Sequence, residues 1–253
     1  MNDFAPPSTT NRLAVGPPAA EPNRACLNCG FRGAGRFCQH CGQSHDTHRL
    51  TLPHLLHEVL HLFTHVEKGF LYTLKELLVR PGDMQRRYLA GQRTRFQKPF
   101  SSFFLACTIL ALGQYAIKSF IARRYGIQDE SEGYFRHYFA LTQVLLLPVY
   151  SFITWLFFRT SKYNYAEVMV VVLYNLSLVL YGILFINALR LLWPQLAAEY
   201  IELPLLLLYN IWTYFRLFPE ASRWVLIAKA LLINTACYLI SHVAADLAVR
   251  VLH

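Results

Sequence analysis

Two short stretches of this chain carry residues able to grip a metal ion. Cys26-Leu27-Asn28-Cys29-Gly30 and Cys38-Gln39-His40-Cys41-Gly42 repeat one device, a pair of thiols two residues apart followed by glycine. Two thiolates at that spacing reach one ion from a single tight turn, and the glycine lets the backbone fold back beneath them. Together the turns supply Cys26, Cys29, Cys38 and Cys41, four sulfurs that suit a tetrahedral Zn²⁺ in a closed structural site. A closed shell leaves no position for substrate, so the expected cofactor is zinc that holds a fold together. Two disulfides in an exported domain and iron in place of zinc are the competing readings. The chain shows no signal-peptide pattern in its first twenty residues, which hold Pro6, Pro7, Pro17 and Pro18, and this favours thiolates over disulfides.

Three further groups of side chains could do chemistry. Seven of the ten histidines fall between residues 40 and 65, and His54, His57, His61 and His65 recur at spacings of three and four, one face of a helix. They form a candidate second metal site or pH-sensing face, against the plainer reading of a solvated polar surface. Arg86, Arg87, Arg93, Arg95 and Lys98 form a basic collar suited to anionic lipid headgroups, at roughly 1 kcal/mol per charge. Nucleic acid is the weaker alternative partner. Glu167, Asn175, Asn234, His242 and Asp246 lie in or at the ends of apolar runs, where polar groups are costly. They make a candidate intramembrane site, unless the asparagines only link helices, as Asn210 also could. Cys107 and Cys237 read as small buried residues. No nucleophile elbow, phosphate loop or metalloprotease helix is visible, so the expectation is a protein that is not an enzyme.

The elements that must position these groups follow from composition. Of 253 residues, 55% are apolar and only 15% charged, and mean hydropathy is +0.29. A soluble domain carries about a quarter charged residues. Residues 1–24 are rich in Pro, Ala, Ser and Thr and read as a disordered tail; 25–45 hold the zinc ribbon. Residues 46–99 read as an amphipathic interfacial helix over 51–79, stopped at Arg80-Pro81-Gly82, a short second helix over 83–90, and the basic collar. Residues 100–253 form a transmembrane domain with apolar segments near 100–121, 139–158, 167–190, 203–218 and 224–247. Each approaches the ~20 residues that cross a bilayer, the fourth least convincingly because it is short and contains Pro204. The expected fold class is therefore all-α: a polytopic transmembrane helical bundle of about five spans with an N-terminal zinc ribbon. Lys and Arg near the span ends divide ten against six, which places the N-terminus in the cytoplasm of a cell whose inner membrane holds the protein.

The order of these features resembles a bacterial membrane-protein family known as domain of unknown function 3667. The resemblance rests on the two cysteine knuckles, on His61-Leu62-Phe63-Thr64-His65-Val66-Glu67-Lys68-Gly69-Phe70, on Arg80-Pro81-Gly82, on Tyr88-Leu89-Ala90-Gly91-Gln92-Arg93 and on Lys98-Pro99-Phe100. Tyr163-Asn164-Tyr165-Ala166-Glu167 is similar to the turn before the family's third span. The family often has histidine after that glutamate, where this chain has Val168. The resemblance implies a zinc ribbon and several membrane helices, and no established activity. The expectation for function is a membrane adaptor whose cytoplasmic ribbon binds another protein. The alternative is a small transporter or channel lined by polar residues of spans three and five.

Overall fold

A computed structural model describes residues 24–60, 69–126, 133–193 and 195–252, with side chains throughout except at 57–60, 133–141, 199 and 245–252. The tail expected over 1–24 therefore lies outside the described residues apart from Arg24, as do His61, His65 and the side chains of His57 and Asp246. The chain divides into two compact units between Thr47 and His48.

The first unit is a ribbon. Strands β1 (Arg24–Ala25) and β2 (Arg32–Gly33) pair antiparallel, and a single bridge joins Phe37 to Ser44. Arg24, assigned by composition to the tail, is thus the first strand residue, and its guanidinium pairs with Asp46 at 3.1 Å.

The second unit is helical: α1 (Leu52–Leu60), α2 (Phe70–Val79), α3 (Pro81–Leu89), α4 (Pro99–Tyr125), α5 (Gly133–Phe157), α6 (Tyr165–Leu189), α7 (Glu199–Leu217) and α8 (Arg223–Leu252). The single helix expected over 51–79 is not what forms. α2 begins afresh at Gly69, whose φ of +105° is left-handed, and a Cβ there would lie 2.5 Å from the Arg95 carbonyl oxygen. Apolar spacing continues across this point, but the backbone must turn and pass close to another segment, which only glycine permits. At Arg80 the stop is real and brief. Pro81 ends α2 by lacking an N–H and serves as the first residue of α3, where that N–H is not needed.

α6 is the hub. It contacts α1, α2, α3, α4, α5 and α7, and α8 closes the bundle by packing on α5 and α7. Leu173, Tyr174, Ser177 and Leu180 of α6 are fully buried, against Phe103, Ala106 and Leu110 of α4. A second cluster gathers Phe158, Tyr214, Leu226, Ala230 and Ile233, with Phe158 stacked on Phe218 at 4.3 Å.

Among the described residues, three helices are long and apolar enough to cross a membrane: Pro99–Tyr125, Tyr165–Leu189 and Arg223–Ala244. Of the other two expected spans, α5 contributes a described apolar stretch of Thr142–Phe157, which is shorter. α7 has 19 residues and carries Glu199, Glu202 and Pro204 near its start. α8 shows the solvent these helices suit. Only 17% of its most apolar window is buried inside the protein, and Leu231, Leu232, Leu239 and Val243 all face outward. Apolar side chains at that density on an outer face fit hydrocarbon, where they cost nothing, rather than water.

Candidate functional site

The cysteine turns are built alike. The Cys26 amide donates to Phe31 O and the Gly30 amide to Cys26 O; the second turn repeats this, with the Cys38 amide donating to Gln43 O and the Gly42 amide to Cys38 O. Gly30 and Gly42 have φ of +74° and +73°, and a Cβ at either would meet open space, so backbone conformation alone demands glycine there.

Folded together, the turns bring all four sulfurs within 4.8 Å of one another. Cys26 Sγ lies 3.6 Å from Cys41 Sγ, and Cys29 Sγ lies 3.6 Å from Cys38 Sγ. A tetrahedral ion with metal–sulfur bonds of about 2.3 Å needs sulfurs about 3.8 Å apart, so the four cysteines are placed to hold one metal ion. All four are free thiols rather than disulfides. Cys26 and Cys38 are buried, and Cys29 and Cys41 partly so.

The thiols are not equivalent. At Cys29, the Phe31 amide favours the thiolate, but burial and hydrogen bonding with the other three sulfurs outweigh it and push the group up to about 12. At Cys41, burial acts upward, while the Asn28 side chain, the Gln43 amide and the sulfurs of Cys26 and Cys29 pull the group down to about 6. Cys41 thus ionises before Cys29, giving the form a metal requires. Around this closed cluster three apolar side chains face outward: Leu27 (52% exposed), Phe31 (43%) and Phe37 (57%). Phe31 stacks on His40 with centroids 6.0 Å apart.

In the helical unit, Glu167 occupies the first turn of α6. It completes a reciprocal cap with Asn164: the Glu167 amide donates to Asn164 Oδ1 and the Asn164 amide to Glu167 Oε2, each at 2.9 Å. Arg49 then clasps the same carboxylate from two nitrogens, both at 2.7 Å, and donates to Lys162 O at 2.6 Å. The adjacent Glu167 carboxylate holds the Arg49 proton more firmly than usual. Arg49 is the partner that sequence reasoning missed. It stands 118 residues away and outside any recognisable motif.

Asn175 and Asn234 belong to a line of amides crossing four helices. Gln85 Nε2 of α3 donates to Asn175 Oδ1 of α6 at 2.7 Å. Asn175 Nδ2 donates to Asn210 Oδ1 of α7 at 2.9 Å, and Asn210 Nδ2 to Asn234 Oδ1 of α8 at 2.8 Å. Asn234 Nδ2 ends the line on Ala230 O at 2.7 Å. Asn175 lies ten residues into α6, about 15 Å along its axis. Gln85 is fully buried and its Oε1 has no partner among the described residues.

The other candidate residues are dispersed. His242 packs edge-on against Tyr238 at 4.5 Å, nineteen residues or about 28 Å along α8 from Arg223. The structure does not bring it to Glu167. His54 is exposed on α1 beside the buried Leu55. In the collar, Arg87 pairs with Glu76 at 2.9 Å and lies over Phe96. Arg93 donates to His48 O and covers Tyr88, while Arg86 pairs with Asp83. Arg95 and Lys98 are exposed. Arg86, Arg87 and Arg93 thus also serve contacts within the chain.

Residues 67–111, spanning α2, α3 and the first half of α4, match the family described as Protein of unknown function (DUF3667). The chain therefore resembles that family in this segment, as the motifs from Arg80 to Phe100 suggested. No curated protein and no solved structure matches it.

Proposed function

We propose that the protein is a membrane-anchored adaptor whose zinc-bound ribbon docks another protein in the cytoplasm. One observation carries this reading. Four sulfurs, enough to fill a tetrahedral shell, are gathered in a ribbon whose neighbouring apolar side chains, Leu27, Phe31 and Phe37, face outward. A metal closed off in this way stabilises a small fold, and the apolar triad supplies the anchor residues that interfaces use. The helices act as the membrane anchor. In the full reading they number five, with α5 and α7 crossing beside α4, α6 and α8, in a cytoplasmic membrane with the N-terminus inside. The protein does no catalysis in this account.

The transporter reading has less support. It relies on polar groups in spans three and five. Asn175 and Asn234 are hydrogen-bonded to neighbouring amides, and Glu167 is held by Arg49 and Asn164.

Co-purification from detergent-solubilised membranes tests the adaptor. Leu27→Asp with Phe37→Asp alters the docking face and leaves the sulfurs alone. A protein that accompanies the wild-type chain should be lost from this variant while its metal content stays unchanged. Identical companions for both would defeat the proposal. Altered solute flux in vesicles with Asn175→Ala would favour the transporter instead.

A further inference from the structure

A cavity of about 500 Å³ opens where α3 meets the C-terminal end of α7 and the N-terminal end of α8. Its lining includes Asp83 and Arg86 of α3, Trp212 and Arg216 of α7, Phe218 in the connection, and Arg223 of α8. Three guanidinium groups face one carboxylate, so the site carries a formal charge of about +2 at neutral pH. Asp83 is shared: Arg86 Nη2 approaches its Oδ1 at 2.5 Å, and Arg216 Nη1 its Oδ2 at 3.7 Å. Each guanidinium has five N–H donors, of which these contacts use few. Arg223 has no ion-pair partner among the described residues. It stands in the first turn of α8, where backbone N–H groups also favour negative charge.

The rest of the lining is apolar and largely aromatic. Trp212 and Phe218 provide walls beside the cations. Trp224, next to Arg223, is 80% exposed, as expected of an aromatic residue at a bilayer interface. The site thus joins bidentate anion-binding groups to apolar walls at the end of a helix able to span a bilayer.

We infer that this cavity binds a phosphate group, carried by an anionic phospholipid or free. Arg86, Arg216 and Arg223 hold the oxygens, and Trp212 and Phe218 lie against the adjoining acyl or glycerol carbons when the carrier is a lipid. Among the collar cations only Arg86 belongs to this site; Arg216 and Arg223 come from later in the chain. The inference is independent of the adaptor reading and shares with it only the membrane assignment of α8.

Native mass spectrometry of the full chain, purified in detergent, reads the site directly. The added probes are phosphatidylglycerol, phosphatidylcholine and inorganic phosphate, each alone. We expect phosphatidylglycerol to be retained at least fivefold more than phosphatidylcholine, and Arg223→Gln with Arg216→Gln to lower that retention at least fivefold. Arg123→Gln with Arg124→Gln, at the opposite end of α4, should leave it unchanged. Asp83→Asn removes the competing carboxylate and should raise retention, a gain that misfolding cannot imitate. Retention of phosphatidylglycerol but not inorganic phosphate identifies a lipid as the carrier. Equal retention of both, lost together in the arginine variants, identifies the free anion as sufficient. Equal retention of the two lipids, or arginine variants indistinguishable from wild type, overturns the inference. Carbonate-resistant fractionation of the same variants reports membrane insertion separately.

Discussion

At the scale of single residues, what each candidate group can do depends on whether its partners are local. Cys38 is almost wholly buried and stands with three other cysteines placed to hold one ion. Cys38→Ser should therefore reduce bound metal from one ion per chain to near none, measured by elemental analysis of the purified protein. Unchanged metal content would remove the four-sulfur site. Asn175 has partners on two other helices. Asn175→Leu strands Gln85 Nε2 and Asn210 Oδ1 inside the bundle, at a cost of about 1–2 kcal/mol. Asn234→Leu interrupts only the end of the line, so its loss in thermal unfolding in detergent should be smaller. An Asn175→Leu protein as stable as wild type would show the amide line to be energetically idle.

Among the elements, α3 departs most from its outward appearance. Pro81-Gly82-Asp83-Met84-Gln85-Arg86-Arg87 looks like a surface segment, yet Met84 and Gln85 are fully buried. The cause is Gly82. A Cβ there would lie 2.4 Å from Thr213 O, 2.5 Å from Arg216 Cβ and 2.6 Å from Leu217 N, so α3 rests directly on the backbone of α7. Gly82→Ala must push two helices apart and should destabilise the bundle by about 2–3 kcal/mol. Gly113→Ala meets only the flexible end of Leu184 and should cost far less. Comparable melting temperatures for the two variants would contradict this packing. The same contrast explains what was legible in advance. The cysteine knuckles could be read because each is closed by bonds within six residues. The apolar helices could be read because hydropathy is a property of a window. The clasp of Arg49 on Glu167 and the bond from Gln85 to Asn175 could not, since they join residues 118 and 90 positions apart. The break at Gly69 escaped notice because the apolar period runs on through it. The asparagines were recognisable as polar groups in apolar runs, but their common line depends on helix order, which periodicity does not encode.

For the whole molecule, the number of crossings is the measurable quantity. Five crossings place the turn at 158–164 and the connection at 218–222 on the side of the ribbon, and residues 190–198 on the other. Epitope tags inserted at Ser161, Gln195 and Glu220 should be protected or reached by antibody in that alternating pattern in sealed vesicles. Gln195 and Glu220 on one side, with Ser161 on the other, would leave α7 as a helix that does not traverse. The two compact units also differ in how they meet acid. Cys41 holds its thiolate only above about 6, while Cys29 keeps its proton to about 12, so an arriving cation must displace hydrogen ions. Affinity should fall as pH falls, and more steeply below about 6, where Cys41 too must give up a proton; competition with a coloured chelator at several pH values will display the slope.

The row of carboxamides from Gln85 to Asn234 has the opposite character. None of its four side chains can take up or release a proton in the physiological range, and each one's orientation is dictated by the neighbour before it. The row forms a one-way fastening across the helices that mild acidification cannot undo. Mild acid should accordingly empty the thiol cluster of its ion and leave the heat tolerance of the amide-fastened bundle where it was.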